Sequence, residues 1–114
     1  MKYTGTIIGL KSSTGNIYTI PLDDKNCYAW RANVTAEIEG KNLQIKFFWN
    51  GDSFSCNLKI IKENYYSGSI LFNGENGGKI YLWNFTKDQD LILKGDFVED
   101  DAGTYNCFIE LKPQ

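Results

Sequence analysis

The stretch Leu43-Gln44-Ile45-Lys46-Phe47-Phe48-Trp49-Asn50-Gly51-Asp52-Ser53-Phe54-Ser55-Cys56-Asn57-Leu58-Lys59-Ile60 decides the fold. Leu43, Ile45, Phe47 and Trp49 alternate with Gln44 and Lys46, and Phe54, Cys56, Leu58 and Ile60 alternate with Ser55, Asn57 and Lys59. Successive side chains of an extended chain point to opposite faces, so each half is a strand with one dry and one wet face. Asn50-Gly51 between them tolerates the positive φ angles of a tight turn whose twist matches two antiparallel strands. The stretch is a β-hairpin with its apolar residues on one side.

The same pattern recurs to either side of it. Strands are expected at 3–10, 16–22, 33–39, 42–50, 53–61, 65–73, 79–86, 90–98 and 104–112. Glu39-Gly40-Lys41-Asn42 reads as a tight turn, Asn73 to Gly78 as a looser glycine-rich loop, and Lys11 to Gly15 as its counterpart near the N-terminus. Asp23-Asp24 caps at most a short helical turn, so little or no helix is expected. Short connections make consecutive strands antiparallel neighbours. About nine strands in one chain of 114 residues would leave costly open edges, so the expected architecture is all-β, a single small antiparallel meander barrel spanning 1–114.

An internal echo runs through this pattern. Tyr3-Thr4-Gly5-Thr6-Ile7 matches Tyr66-Ser67-Gly68-Ser69-Ile70, and Gly15-Asn16-Ile17-Tyr18 matches Gly78-Lys79-Ile80-Tyr81 at the same offset. Over 3–22 against 66–85, six of twenty positions are identical. Shared hairpin constraints, with glycine bending the first strand of each, account for the echo, and an ancient duplication is the alternative. The glycine-in-strand meander, with Leu93-Lys94-Gly95-Asp96-Phe97 near its end, resembles the style of calycin-like barrels such as lipocalins and avidins. The lipocalin Gly-x-Trp motif is missing near the N-terminus, so the resemblance implies a fold and carries no site residues.

Composition excludes several functions. Twelve basic and fourteen acidic residues give a net charge of -2, and Arg31 is the single arginine, which argues against nucleic acid as a partner. There is no histidine, so Ser-His-Asp and Cys-His catalysis and histidine metal sites are absent. Cys27, Cys56 and Cys107 are odd in number and lack CxxC spacing, and Cys56 and Cys107 fall on apolar strand faces as small core residues. Asp96, Glu99, Asp100 and Asp101 lack the spacing of a calcium loop. No metal or cofactor is expected. Met1-Lys2-Tyr3-Thr4-Gly5 has no leader-like apolar run, and no segment approaches a membrane helix, so the expectation is a cytoplasmic chain without membrane contact.

Two groups of residues stand out as candidate sites. Trp30-Arg31 joins the lone arginine to an indole, suited to an anionic ligand at a barrel mouth or to a plain cation–π pair. Tyr81, Trp83 and Phe85 share one face of their strand and are expected to fill the core or to line a pocket for a small apolar ligand. With Ile80 and Leu82 on its other face, that strand is apolar on both sides. Phe48, Ile61, Leu82, Ile92 and Phe108 break the polar sides of their strands, which points to a second covered surface. The expected function is a non-catalytic protein-interaction module of the inhibitor, adaptor or immunity type. It would bind a protein partner or form a homodimer through the sheet of the C-terminal three strands. The alternative is a small-ligand-binding barrel carrier with an aromatic-lined interior. An enzyme is not expected, because the inward faces are almost wholly apolar.

Overall fold

Alternating apolar residues build the same wall eight times. The computed structural model describes residues 1–11, 28–86, 89–100 and 103–114. Its strands are β1 (Lys2–Lys11), β2 (Tyr28–Glu39), β3 (Asn42–Trp49), β4 (Asp52–Lys62), β5 (Tyr65–Phe72), β6 (Glu75–Asn84), β7 (Leu91–Glu99) and β8 (Gly103–Pro113). Each pairs antiparallel with the next, and β8 pairs with β1, so the sheet closes in chain order into a barrel. Closure removes the unpaired edges that an open sheet of this size would expose. No helix occurs among the described residues.

Eight of the nine expected strands are these eight. The ninth, at 16–22, and the capped turn at Asp23-Asp24 lie outside the described residues. Two boundaries differ from expectation. β2 starts at Tyr28, because Trp30, Ala32, Val34 and Ala36 continue the inward alternation, and the small alanines hid it in the sequence. The loop expected from Asn73 to Gly78 shrinks to Asn73-Gly74, whose φ angles of 50° and 87° make a tight hairpin turn like Asn50-Gly51. Glu75 to Gly78 belong to β6, where a register shift absorbs one extra residue as a bulge.

The inward positions fill the barrel. Ile7, Ile45, Ile70, Ile80, Leu82, Leu93, Phe97 and Ile109 are fully buried in one cluster. The alternation is apolar inside and mostly polar outside, the reverse of a barrel that faces lipid. Cys56 and Cys107 belong to this cluster as free thiols, and burial pushes the Cys56 thiol up to about 12. The Cys107 thiol is also raised well above its ordinary value, first by burial and then by the neighbouring charges of Cys56 and Asp96.

The echo has a structural counterpart. Tyr3, Gly5 and Ile7 lie on β1, and Tyr66, Gly68 and Ile70 lie on β5, four strands away around the ring of eight. Gly5 pairs with Leu111 of the preceding strand, and Gly68 with Leu58 of its own preceding strand. A Cβ at Gly5 would overlap the Glu110 carbonyl oxygen, and one at Gly68 would overlap that of Asn57. Both glycines let neighbouring strands close at a sharp bend, as barrel corners require. The second half of the first copy, Gly15 to Tyr18, lies outside the described residues.

Candidate functional site

β6 carries the side chains that set the outer surface apart, and its orientation corrects the sequence reading. Ile80 and Leu82 are both fully buried and point inward, whereas Tyr81, Trp83 and Phe85 keep 38%, 39% and 42% of their surface in water. Leu82 is therefore core and not interface, and the three aromatics neither fill the core nor line an interior pocket. The strand is apolar on both faces, so periodicity alone could not orient it. Register orients it, since Leu82 pairs with Gly95 and Trp83 with Lys94, a residue on the outer face of β7.

Neighbouring strands complete an outer aromatic face. Tyr65 on β5 pairs with Trp83, and their rings lie 4.5 Å apart, tilted by 42°. Lys62 Nζ sits 5.3 Å from the Trp83 ring and 5.7 Å from the Tyr65 ring. Lys94 Nζ lies 5.2 Å from the Phe85 ring and 5.5 Å from that of Phe108. The Phe85 N–H donates to the Ile92 carbonyl at 2.6 Å, which places half-buried Ile92 beside this face. Lysines held over ring faces gain cation–π attraction. The three exposed aromatics together leave about 200–300 Å² in water. Tyr65, Lys62 and Lys94 escaped the sequence reading, because only the register across β5, β6 and β7 brings them to Trp83.

The remaining candidates separate. Trp30 and Arg31 are adjacent in a strand, so they face opposite ways. The Trp30 ring is buried inside, stacked on Phe47 at 5.8 Å and edge-on to Phe97 at 5.1 Å, while Arg31 is exposed on the outer wall. They form neither a cation–π pair nor a shared anion site. Phe108 is only 6% exposed, so it is not a free docking residue. It pairs with Ile8, also buried, and both lie outside the interior cluster. Phe48 and Ile61 are exposed at 75% and 60% but sit at opposite ends of the β3–β4 hairpin. Phe48 adjoins the turn at Asn50-Gly51, far from the aromatic face, whereas Ile61 sits in the bulge beside Lys62, which pairs with Tyr65.

A second feature lies across the outer wall of β1 to β4. An open groove of about 1100 Å³ runs past Thr4, Thr6, Asn33, Thr35, Gln44, Ser55 and Asn57, with Lys46, Lys112 and Glu110 at its sides. Hydroxyl and amide side chains alternate there with apolar ones, among them exposed Phe48 and half-buried Leu71, and Gln44 Nε2 donates to Asn57 Oδ1 at 2.9 Å.

Among the described residues no group of three or more Cys, Asp or Glu side chains is placed to hold a metal ion, and no helix is long and apolar enough to cross a membrane. No family model, no curated protein and no solved structure matches this chain.

Proposed function

We propose that this chain is a non-catalytic protein-interaction module that docks a partner on the outer face of β5, β6 and β7. The observation that carries the reading is Trp83, exposed at the centre of that face, tilted against Tyr65 and flanked by Lys62 and Lys94. Tryptophan and tyrosine dominate the energetics of protein interfaces, because they bury large rigid surfaces at small entropic cost. The face also carries Lys62, Lys79 and Lys94 against Asp96 on a chain whose net charge is -2. A second copy would bring these lysines together, so charge complementarity favours a different partner, a segment that alternates acidic and apolar side chains. The packed interior supports docking on the outside over carriage within. The gap between Trp30, Phe47, Phe54 and Phe97 is only about 10 Å³.

The test is fluorescence polarisation with a labelled peptide alternating Glu and Phe, beside a matched peptide of Lys and Phe. Saturable binding of the acidic peptide alone is expected, with loss of roughly tenfold or more in affinity for Trp83→Ala. It should also weaken with salt, as exposed charge pairs do. Equal binding of both peptides, or binding that survives Trp83→Ala, would contradict the reading. Concentration-dependent dimerisation abolished by Trp83→Ala would replace the foreign partner with a second copy.

A further inference from the structure

Two turns at one end of the barrel are close copies of each other. Trp49-Asn50-Gly51-Asp52 joins β3 to β4, and Phe72-Asn73-Gly74-Glu75 joins β5 to β6. Each reads aromatic, asparagine, glycine, acid. Their backbones also agree, with φ angles of 52° and 84° at Asn50 and Gly51 and of 50° and 87° at Asn73 and Gly74. The flanking rings are equally exposed, Trp49 at 39% and Phe72 at 40%. Local sequence, turn geometry and exposure therefore cancel when the two asparagines are compared.

Their side chains are held differently. Asn73 Oδ1 accepts the Ser53 N–H at 2.9 Å, and Asn73 Nδ2 donates to Asp52 Oδ1 at 3.1 Å. The Asn73 N–H donates to the Ser53 carbonyl at 2.8 Å, so the whole residue is tied to the start of β4. The Asn50 carboxamide makes no hydrogen bond with any described residue. A third pair, Asn76-Gly77, lies within β6, where Asn76 pairs with Leu71 and its Oδ1 accepts the Gly78 N–H at 3.4 Å. Asparagine before glycine is prone to an intramolecular displacement, since glycine has no side chain to obstruct the approach of its own nitrogen. That nitrogen loses its proton and bonds to asparagine Cγ. The Cγ–Nδ2 bond breaks, and ammonia leaves with the proton. Water then opens the cyclic imide at either carbonyl, giving aspartate or isoaspartate. Ring closure needs a carboxamide free to swing over the following nitrogen.

We propose that Asn50 is a modification site of this chain, deamidating at the β3–β4 turn while its counterpart Asn73 is protected by Asp52 and Ser53. Aspartate at this position adds a negative charge beside Asp52. Isoaspartate also lengthens the main chain by one methylene. A two-residue turn has no slack for it, so the strain falls on the Trp49–Asp52 pair that closes the β3–β4 ladder. The site is independent of the outer aromatic face and stands whether or not that face docks a partner.

The experiment is incubation of the whole folded chain at mildly alkaline pH, with peptide mapping by mass spectrometry at timed intervals. Deamidated product, with its isoaspartyl form resolved by elution, should build up first in the peptide that holds Asn50. Asn73 must break two side-chain hydrogen bonds before its ring can close, so it should lag by roughly tenfold. Asp52→Ala removes one of those bonds and should speed Asn73 by about threefold. In strong urea both turns dissolve, and the rates at Asn50 and Asn73 should converge. That comparison needs no variant, so it keeps the test valid if Asp52→Ala fails to fold. Equal rates at Asn50 and Asn73 in the folded chain, or a faster Asn73 or Asn76, would overturn the proposal. So would a difference that persists in urea, or an unchanged Asn73 rate in folded Asp52→Ala.

Discussion

The outer wall of β1 to β4 and the outer wall of β5 to β7 solve the same folding problem with different residues. Each needs only side chains that tolerate water at every second position. The first half uses Thr4, Thr6, Asn33, Thr35, Gln44, Ser55 and Asn57, with Thr4 opposite Thr35 and Lys46 opposite Ser55. The second half places Tyr65, Tyr81 and Trp83 in equivalent outward positions, with Lys62 over the Tyr65 and Trp83 rings. Each wall also exposes isolated apolar side chains, Phe48 and Ile61 on the first, but only on the second do aromatic rings meet one another and a lysine, and the proposed docking rests on that grouping.

The comparison breaks most visibly within one strand. Leu82→Ala, on the inner side, should cost about 2–5 kcal/mol in urea unfolding, as a large-to-small core change does. Trp83→Ala next to it should cost less, about 1–2 kcal/mol, the scale of a half-exposed ring pair and cation–π contact. Equal losses would mean that Trp83 belongs to the packing, and the contrast between the two walls would collapse.

The shared frame under both walls gives a smaller, matched effect. Gly5→Ala and Gly68→Ala should each destabilise by about 1–3 kcal/mol, because either Cβ would overlap a carbonyl oxygen of the preceding strand. Thermal melts showing one glycine dispensable and the other not would end the equivalence of β1 and β5.

The smallest effect concerns Glu99. Burial raises its carboxyl above the ordinary value, so its ionised form is disfavoured in the folded state. Glu99→Gln should therefore raise the melting temperature slightly near neutral pH. That gain should vanish as the pH falls through the raised value and the native carboxyl takes up its proton. A gain that persists in acid would assign the effect to something other than charge. For the interior, Cys56 and Cys107 should resist thiol reagents until the chain unfolds, since burial suppresses both thiolates.

How far the sequence was legible follows from these residues. Leu43 to Ile60 alternates strictly around Asn50-Gly51, so that hairpin and its inward face could be read directly, and with them the meander and its closure. Lys79-Ile80-Tyr81-Leu82-Trp83 is apolar on both sides, so nothing in its own pattern says which side is dry. The answer lies in its pairing with Gly95 and Lys94, and the connection between β6 and β7 does not fix that register from sequence. Cys107-Phe108-Ile109 poses the same problem, and all three are buried, Phe108 against Ile8 on the outer side. Trp30-Arg31 misled for a simpler reason, since neighbours in a strand do not share a face. Glu75 opens β6 and Glu99 ends β7, and the antiparallel pairing of these strands, with Gly78 opposite Glu99, brings both to one end of the barrel.

The three tryptophans report on three regions. Trp30 is buried inside, Trp49 sits 39% exposed beside it, 6.4 Å away ring to ring, and Trp83 stands on the outer face. Fluorine NMR of the chain labelled with 5-fluorotryptophan, titrated with the peptide of alternating Glu and Phe, therefore tests the central claim directly. The account predicts that the Trp83 resonance moves while those of Trp30 and Trp49 stay in place. A stationary Trp83 with movement of Trp30 or Trp49 would contradict it, and would put the binding surface at the mouth of the barrel.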